Sequence, residues 1–352
     1  MMRSRFFAIA ACVAVAPLAP RTLASSATHG IMSRPMTAVP TVAHDSGDSV
    51  NQHTSKPAGI KKSSKGKTKG SSKTHSAEPK KVATPPAPAF TVTPLPDAIL
   101  PKKRIIAFYG NPLSKRMGVL GEYPESVMLA KLQSEVEAFN KADPTTPAIP
   151  ALHLIVTVAQ GSPGKKGLYR LRMTDSLIEH WCKLAERKGY LMFLDVQVGR
   201  STVQSELQPL MPYLQRPYVH LALDPEFAMK GDKIPGRKIG TMDASEVNYA
   251  IQTLANLVTQ YHLPPKILVV HRFTQNMLTR YREIRPVPSV QVVINMDGFG
   301  APWLKHNSYH DYIEMQPVQF TGFKLFYKND KPMLSRSDVV KLTPSPVFIT
   351  FQ

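Results

Sequence analysis

From residue 104 to the end of the chain, short apolar runs of strand length alternate with amphipathic stretches of helix length. The apolar runs are residues 104–110, 151–160, 190–199, 218–227, 266–274, 290–300, 320–330 and 345–352. The helical stretches lie near residues 126–140, 174–188, 201–214, 244–261 and 335–340, with shorter ones around 275–281 and near 309. This alternation is typical of β/α units built around a parallel sheet.

Eight strands within residues 104–352 match the strand number and size of a (β/α)8 barrel. An open, doubly wound sheet has a similar rhythm, but the first strand is followed by "YGNPLSKRMG", which lacks the glycine-rich dinucleotide fingerprint. We therefore predict an α/β fold, a TIM-like barrel, for residues 104–352. Because the chain ends on its last strand, part of the segment before Arg104 is expected to cover the place of the eighth outer helix.

Residues 1–25 have the layout of a secretory signal peptide: a basic start, an apolar run over residues 6–16, and small residues after it. The sequence therefore predicts a bacterial protein that is secreted or associated with the cell envelope. The stretch "IAAC" resembles a lipoprotein box, which makes a lipid anchor at Cys12 the alternative. If Cys12 leaves with the signal peptide, Cys182 is the only remaining cysteine and no intramolecular disulfide forms. No later stretch is predicted to cross a membrane.

Residues 26–103 are rich in Lys, Ser and Pro and poor in large apolar residues, which predicts a disordered linker. Residues 1–103 contain 15 Lys and Arg against 4 Asp and Glu, so this part carries +11 of the total charge of +19. A cationic tether suits an anionic envelope polymer, and a solvated spacer is the alternative. Aromatic residues do not interleave the lysines, so no specific nucleic-acid binding is predicted.

Polar side chains mark the ends of the third to sixth predicted strands. They are Asp195 and Gln197, Asp224 and Glu226, His271, and Asn295 and Asp297. Strand ends of a barrel converge on one mouth, where barrel enzymes carry their sites, and residues two apart share a strand face. Like charges held together require protonation, pairing or a bound cation, so the cluster is a candidate site.

Other residues extend this candidate site or are assigned away from it. The residues predicted to bind substrate are Gln197, His271, Asn295, Tyr109, Trp303 and Gln160. Aromatic faces on a polar, acid-lined mouth suit stacking on sugar rings, and simple packing is the alternative for Trp303. His153 and His220 are predicted to be core histidines, and the alternation of the seventh strand leaves the direction of Lys324 open.

The sequence predicts no cofactor and no zinc site, because it has neither H-E-x-x-H nor paired cysteines. A divalent cation held by Asp195, Asp224, His271 and Asp297 is a weaker alternative.

The Asp-x-Glu pair at the end of the fourth strand resembles the last part of the motif of family 18 chitinases and related barrel glycosidases. The resemblance implies that Glu226 is the general acid and that Asp224 orients the N-acetyl group of the substrate, which itself attacks. The two earlier aspartates of the family motif fall at Val219 and Ala222, so half of the signature is present. The wider run "IAFYGNPLSKRMGVLGEYP … LDVQVG … LALDPEF … MDGFG" is similar to uncharacterised secreted or lipid-anchored bacterial barrel proteins, which implies export and fold rather than an activity.

The leading functional prediction is an exported, glycoside-hydrolase-like barrel that acts on a polysaccharide or cell-envelope glycan. Glu226 would be the general acid, and Asp297 or Asp195 the nucleophile or base. The distance between the two carboxyl groups would decide between retention and inversion. The first alternative is a non-catalytic envelope or glycan-binding protein that uses the same mouth, and the second is metal-assisted hydrolysis of a phosphoester.

Overall fold

The computed structural model describes residues 84–352. The predicted signal peptide at residues 1–25, including Cys12, and the predicted linker up to residue 83 lie outside the described residues. Within residues 84–352 the strands are β1 (Arg104–Gly110), β2 (Ala148–Ala159), β3 (Arg170–Arg172), β4 (Leu191–Val196), β5 (Val219–Leu223), β6 (Met242–Asp243), β7 (Lys266–Arg272), β8 (Leu278–Thr279), β9 (Val290–Met296), β10 (Phe320–Leu325) and β11 (Phe348–Phe351). The α-helices are α1 (Val119–Glu122), α2 (Glu125–Ala142), α3 (Asp175–Lys188), α4 (Val203–Leu207), α5 (Met211–Leu214), α6 (Ala244–Tyr261), α7 (Pro302–Tyr309) and α8 (Arg336–Val340).

Eight parallel strands close into a barrel in the order β1, β2, β4, β5, β7, β9, β10 and β11, and β11 pairs back with β1. The predicted TIM-like barrel is confirmed, and each of its eight strands falls within or overlaps a predicted one. Strand β3 runs antiparallel to the end of β2, while β6 and β8 form a separate pair outside the barrel. The helical segment predicted at residues 275–281 consists of two 3-10 turns on either side of β8.

The outer helices begin and end at residues suited to those positions. The Thr174 hydroxyl accepts a hydrogen bond from the Leu177 amide at the start of α3, and Gly189 ends this helix in the left-handed region at φ 66°. A capping box of Asp243 and Glu246 starts α6. No helix within residues 84–352 combines the length and apolarity needed to span a bilayer.

Strand alternation divides the barrel interior into an apolar lower part and a polar upper part. The lower part is filled by ten buried residues: Leu100, Ile105, Ala107, Ala151, Phe193, Ala222, Ile267, Val269, Val293 and Phe348. Side chains of a strand point inward at every second residue, so the next inward positions toward the carboxyl ends carry the polar side chains. The candidate site therefore rests on a packed hydrophobic layer rather than on a water-filled pore.

Residues 95–103, which the sequence analysis places in the linker, close the lower end of the barrel. The Gln291 side chain accepts hydrogen bonds from the Ile99 and Leu100 amides at 3.1 and 3.2 Å and donates one to the Leu100 carbonyl at 2.7 Å. Leu100 is buried against the lower interior. The barrel unit thus starts before Arg104, and this segment plugs the floor instead of replacing an outer helix.

Candidate active site

The upper interior of the barrel brings together most of the residues predicted from the strand ends. Eight of them form or adjoin one network of hydrogen bonds and ion pairs: Tyr109, Asp195, Gln197, Asp224, Glu226, His271, Asn295 and Asp297. Gln160 and Trp303 are not part of that network within residues 84–352. Trp303 lies in the first turn of α7 with 61% of its surface exposed.

Asp195 lies at the bottom of the network, where two imidazoles hold it. Its Oδ2 atom is 3.0 Å from His153 Nε2 and 3.0 Å from His271 Nε2, and all three side chains are fully buried. Burial opposes the negative charge of Asp195, but the hydrogen bonds from His153 and His271 keep its pKa below the usual range. Asp195 is therefore a buried carboxylate that positions imidazoles.

The two histidines have opposite protonation states. Burial lowers the pKa of His153 to about 4, so the ring is neutral and its Nε2–H donates to Asp195. Burial also opposes a charge on His271, but the charge of Asp297 and hydrogen bonds to Asp195 and Asp297 raise the pKa of His271 to about 10. His271 is thus an imidazolium that links the lower carboxylate to the upper one.

Asp297 is the ionised carboxylate nearest the mouth. Its Oδ2 lies 3.2 Å from His271 Nδ1 and its Oδ1 lies 2.9 Å from Lys324 Nζ. Burial raises the pKa of Asp297, but the charges of Lys324 and His271 overcome this and lower it below the usual range. The Lys324 ammonium also lies 3.7 Å from the centre of the Tyr109 ring, which stabilises a cation in this buried position.

Asn295 fits into the network because Gly322 has no side chain. Gly322 pairs with Asn295 across β9 and β10, and a Cβ atom at Gly322 would come within 2.4 Å of Asn295 Oδ1. The Asn295 amide nitrogen lies 3.2 Å from His271 Nδ1 and 3.3 Å from the Thr350 hydroxyl. Because the protonated Nδ1 of His271 donates to Asp297, it cannot also accept a hydrogen bond from the Asn295 amide nitrogen; Asn295 therefore packs beside the imidazolium and donates to Thr350.

Asp224 follows the last residue of β5 and caps a 3-10 turn, Pro225–Phe227. The sequence predicted a strand through residue 227 with Asp224 and Glu226 on one strand face; that strand ends at Leu223, and the turn brings the two acids together. Asp224 Oδ1 accepts a hydrogen bond from the Glu226 amide at 3.2 Å, and Oδ2 accepts one from Gln197 Nε2 at 3.1 Å. Burial raises the pKa of Asp224 to about 7, and the negative charges of Asp195 and Asp297 add to this effect.

Glu226 is the acid whose carboxyl group is left for a ligand. It is half-buried, and its carboxyl group makes no hydrogen bond or ion pair with any described residue. Burial, with the negative charges of Asp224 and Asp297, raises the pKa of Glu226 to about 8. At neutral pH this carboxyl group therefore holds a proton that no protein atom uses.

The side chains that lie close enough together to hold a metal ion differ from the predicted set. Ligand atoms of His153, Asp195 and His271 lie within 4.8 Å of one another. In the arrangement described above, however, both imidazoles donate to one Asp195 oxygen and His271 is protonated, whereas a metal requires the ligand nitrogen unprotonated. The geometry fits a hydrogen-bonded triad better than a metal centre.

Two residues of the network escaped the sequence analysis. His153 is predicted to be a core histidine and is buried, yet it also hydrogen-bonds to Asp195. His220, the other predicted core histidine, accepts a hydrogen bond from the Ile267 amide and packs against the Phe193 ring. The sequence does not fix the direction of the Lys324 side chain, which the structure shows pointing inward to Asp297. Cys182 is buried on α3, and burial raises its pKa to about 12, which disfavours a role as a nucleophile.

Comparison with known proteins adds no family: no family model matches this chain, and no curated protein matches it. The assignment of a function therefore depends on the geometry and the protonation states of the barrel mouth.

Proposed function

We propose that this protein is an exported glycoside-hydrolase-like enzyme that cleaves a polysaccharide or cell-envelope glycan by carboxylate general acid–base catalysis. The observation that carries the proposal is the protonated, partly exposed Glu226 carboxyl group beside an ionised Asp297. Glycosidases need one carboxyl group that stays protonated and a second that stays ionised.

Each acid of the mouth has a role in this proposal. Glu226 donates its proton to the leaving glycosidic oxygen, and Asp224 fixes the turn that carries Glu226. Asp297 is the nucleophile or base. It is preferred over Asp195 because Asp297 is 7% exposed, whereas Asp195 is fully enclosed and already accepts hydrogen bonds from two imidazoles.

Exposed aromatic rings near the carboxyl ends of the strands support a sugar ligand. Phe299, in the loop after β9, is 42% exposed and contacts the Phe326 ring edge-on, and Trp303 follows at the start of α7. Aromatic faces bind the apolar faces of sugar rings, so these two exposed rings suit a sugar ligand.

The test is a hydrolysis screen on polysaccharides and oligosaccharides, read as release of reducing ends. Glu226→Gln is expected to lower kcat/KM by about two orders of magnitude or more, as loss of a general acid does. Wild-type activity should fall as pH rises through about 8, where Glu226 loses its proton. Glu137→Gln, the same change at an exposed site on α2, serves as the control. A fully active Glu226→Gln variant on a verified substrate would contradict the proposal.

One observation favours the alternative of a non-catalytic glycan-binding protein. Both Asp297 oxygens are engaged, by His271 and by Lys324, as in a structural ion pair. Retention of a glycan on a column by wild type and Glu226→Gln alike, with no new reducing ends from either, would establish that alternative.

A further inference from the structure

A second feature lies beside the barrel mouth: a hollow of about 420 Å³ between the segment after β2 and the segment after β4. Its charged lining residues are all cations: Lys165, Lys166, Arg170, Arg172 and Arg200. We call this hollow the cationic pocket. Neither the proposed catalysis nor the packing of the barrel accounts for so many cations in one place.

Two of the cations are held in fixed positions by a buried acid. Glu206 Oε1 lies 2.8 Å from Arg170 Nε, and Glu206 Oε2 lies 2.7 Å from Arg172 Nε. The Glu206 side chain is fully buried, so it orients both guanidinium groups without presenting a carboxylate to the pocket. Five cations against this single carboxylate leave a local charge of +4.

The remaining cations are available to a ligand. Lys165 and Lys166 are exposed, and neither ammonium group has a hydrogen bond or ion pair with another residue in the described chain. The Arg200 guanidinium lies 4.2 Å from the centre of the Tyr169 ring, and its Nε donates to the Lys233 carbonyl at 3.0 Å. Arg200 is thus fixed without its charge being neutralised.

The cationic pocket is connected to the proposed catalytic acids through a short piece of backbone. The Arg200 amide donates to the Leu168 carbonyl at 2.8 Å, and Gly199 permits this approach because a Cβ there would lie 2.5 Å from the same oxygen. Gln197, which holds Asp224, precedes Arg200 by three residues, which span at most about 10 Å. The cationic pocket therefore lies on the segment that directly follows the strand end carrying Gln197.

We propose that the cationic pocket binds an anionic group of the substrate, a carboxylate, sulfate or phosphate, so that the substrate class is an acidic polysaccharide. This inference rests on the function proposed above and names the class of glycan for the same mouth. Guanidinium groups bind carboxylate and phosphate through paired hydrogen bonds, while lysine ammonium groups add charge that needs less exact geometry.

The experiment compares the binding of dextran sulfate and neutral dextran to three full-length proteins. They are the wild type, Lys165→Ser/Lys166→Ser, and the matched control Lys141→Ser/Lys188→Ser, which removes two exposed lysines from the last residues of α2 and α3. The lysine-rich N-terminal segment is the same in all three. Loss of the pocket lysines should weaken dextran sulfate binding about tenfold at low salt, with a smaller effect at about 0.5 M NaCl, and should leave neutral dextran unchanged.

Equal losses in both double variants would overturn the inference, since they would mean diffuse attraction to net charge rather than a pocket. The inference would also be overturned, in favour of a nucleic-acid site, if a short DNA duplex displaced dextran sulfate and its binding required Lys165 and Lys166. A neutral glycan that is cleaved with the same kcat/KM by the wild type and by the pocket variant would overturn the inference and leave the proposed function standing. Binding through the pocket without cleavage of any acidic glycan would instead overturn the proposed function.

Discussion

The protonated Glu226 has a consequence for stability that can be measured without a substrate. Its pKa is about 8 in the native barrel, against 4.5 in an unfolded chain, so folding takes up a proton between these values. Because its native pKa is raised, Glu226 contributes its full stability below about pH 4.5, and this contribution is lost as pH rises to about 8. Wild-type stability should therefore decrease across that window.

The magnitude follows from the size of the shift. A difference of about 3.5 pKa units corresponds to at most about 5 kcal/mol of unfolding free energy. Glu226 keeps part of its surface in water, which screens the interaction, so we expect about 2 kcal/mol. Glu226→Gln stays neutral at every pH, so its advantage over the wild type should grow by this amount between about pH 4.5 and pH 8.5.

Thermal unfolding followed by circular dichroism measures the difference. For a domain of this size, about 2 kcal/mol corresponds to a change in Tm of roughly 4–8 °C. The difference in Tm between Glu226→Gln and the wild type should therefore widen by that amount from low to high pH. Glu137→Gln is the control and should follow the wild type. A pH-independent difference between the Glu226→Gln variant and the wild type would refute the reasoning, because Glu226 would then have the same pKa in both states.

Two further substitutions test the structure beneath Glu226. Lys324→Met removes the cation that faces Asp297 and should lower the free energy of unfolding, measured in urea, by about 3 kcal/mol. Adding Asp297→Asn to this variant should recover part of the lost stability. If no stability is recovered, the two side chains are not coupled. Gly322→Ala places a Cβ against Asn295 and should destabilise by about 1–3 kcal/mol, whereas Gly161→Ala, with open space around it, should cost much less; equal effects would contradict the close approach.

The alternation of apolar and polar residues was sufficient to predict the barrel and most of its mouth. The eight strands were found from their apolar runs, and the acids at their ends converge because parallel strands of a barrel end on one side. Lys324 could not be oriented from the sequence, because a run of alternating and apolar residues fits two registers. The structure decides between them by placing Gly322 and Lys324 inward.

The two buried histidines show what pattern alone cannot separate. His153 and His220 each lie among apolar residues of a strand, and each points into the barrel. His153 Nε2 lies 3.0 Å from the Asp195 carboxylate, whereas His220 accepts a hydrogen bond from the Ile267 amide and packs against the Phe193 ring. The difference arises from the stagger of neighbouring strands, which sets the height of each inward residue and leaves no mark on either strand's own sequence.

The charges of the whole mouth, rather than the Asp-x-Glu pair by itself, explain why Glu226 is an acid. Asp195 and Asp297 carry two negative charges, and His271 and Lys324 supply two positive charges that contact them. Because these four charges balance one another, neither Asp224 nor Glu226 has a cation among the described residues in contact with its carboxyl group. Ionising either carboxyl group in the buried mouth is therefore costly in free energy. Asp224 and Glu226 therefore keep their protons to unusually high pH. Adding a positive charge beside the turn that carries Glu226 is therefore expected to lower the pKa of Glu226 and to abolish the general acid without any change to its carboxyl group.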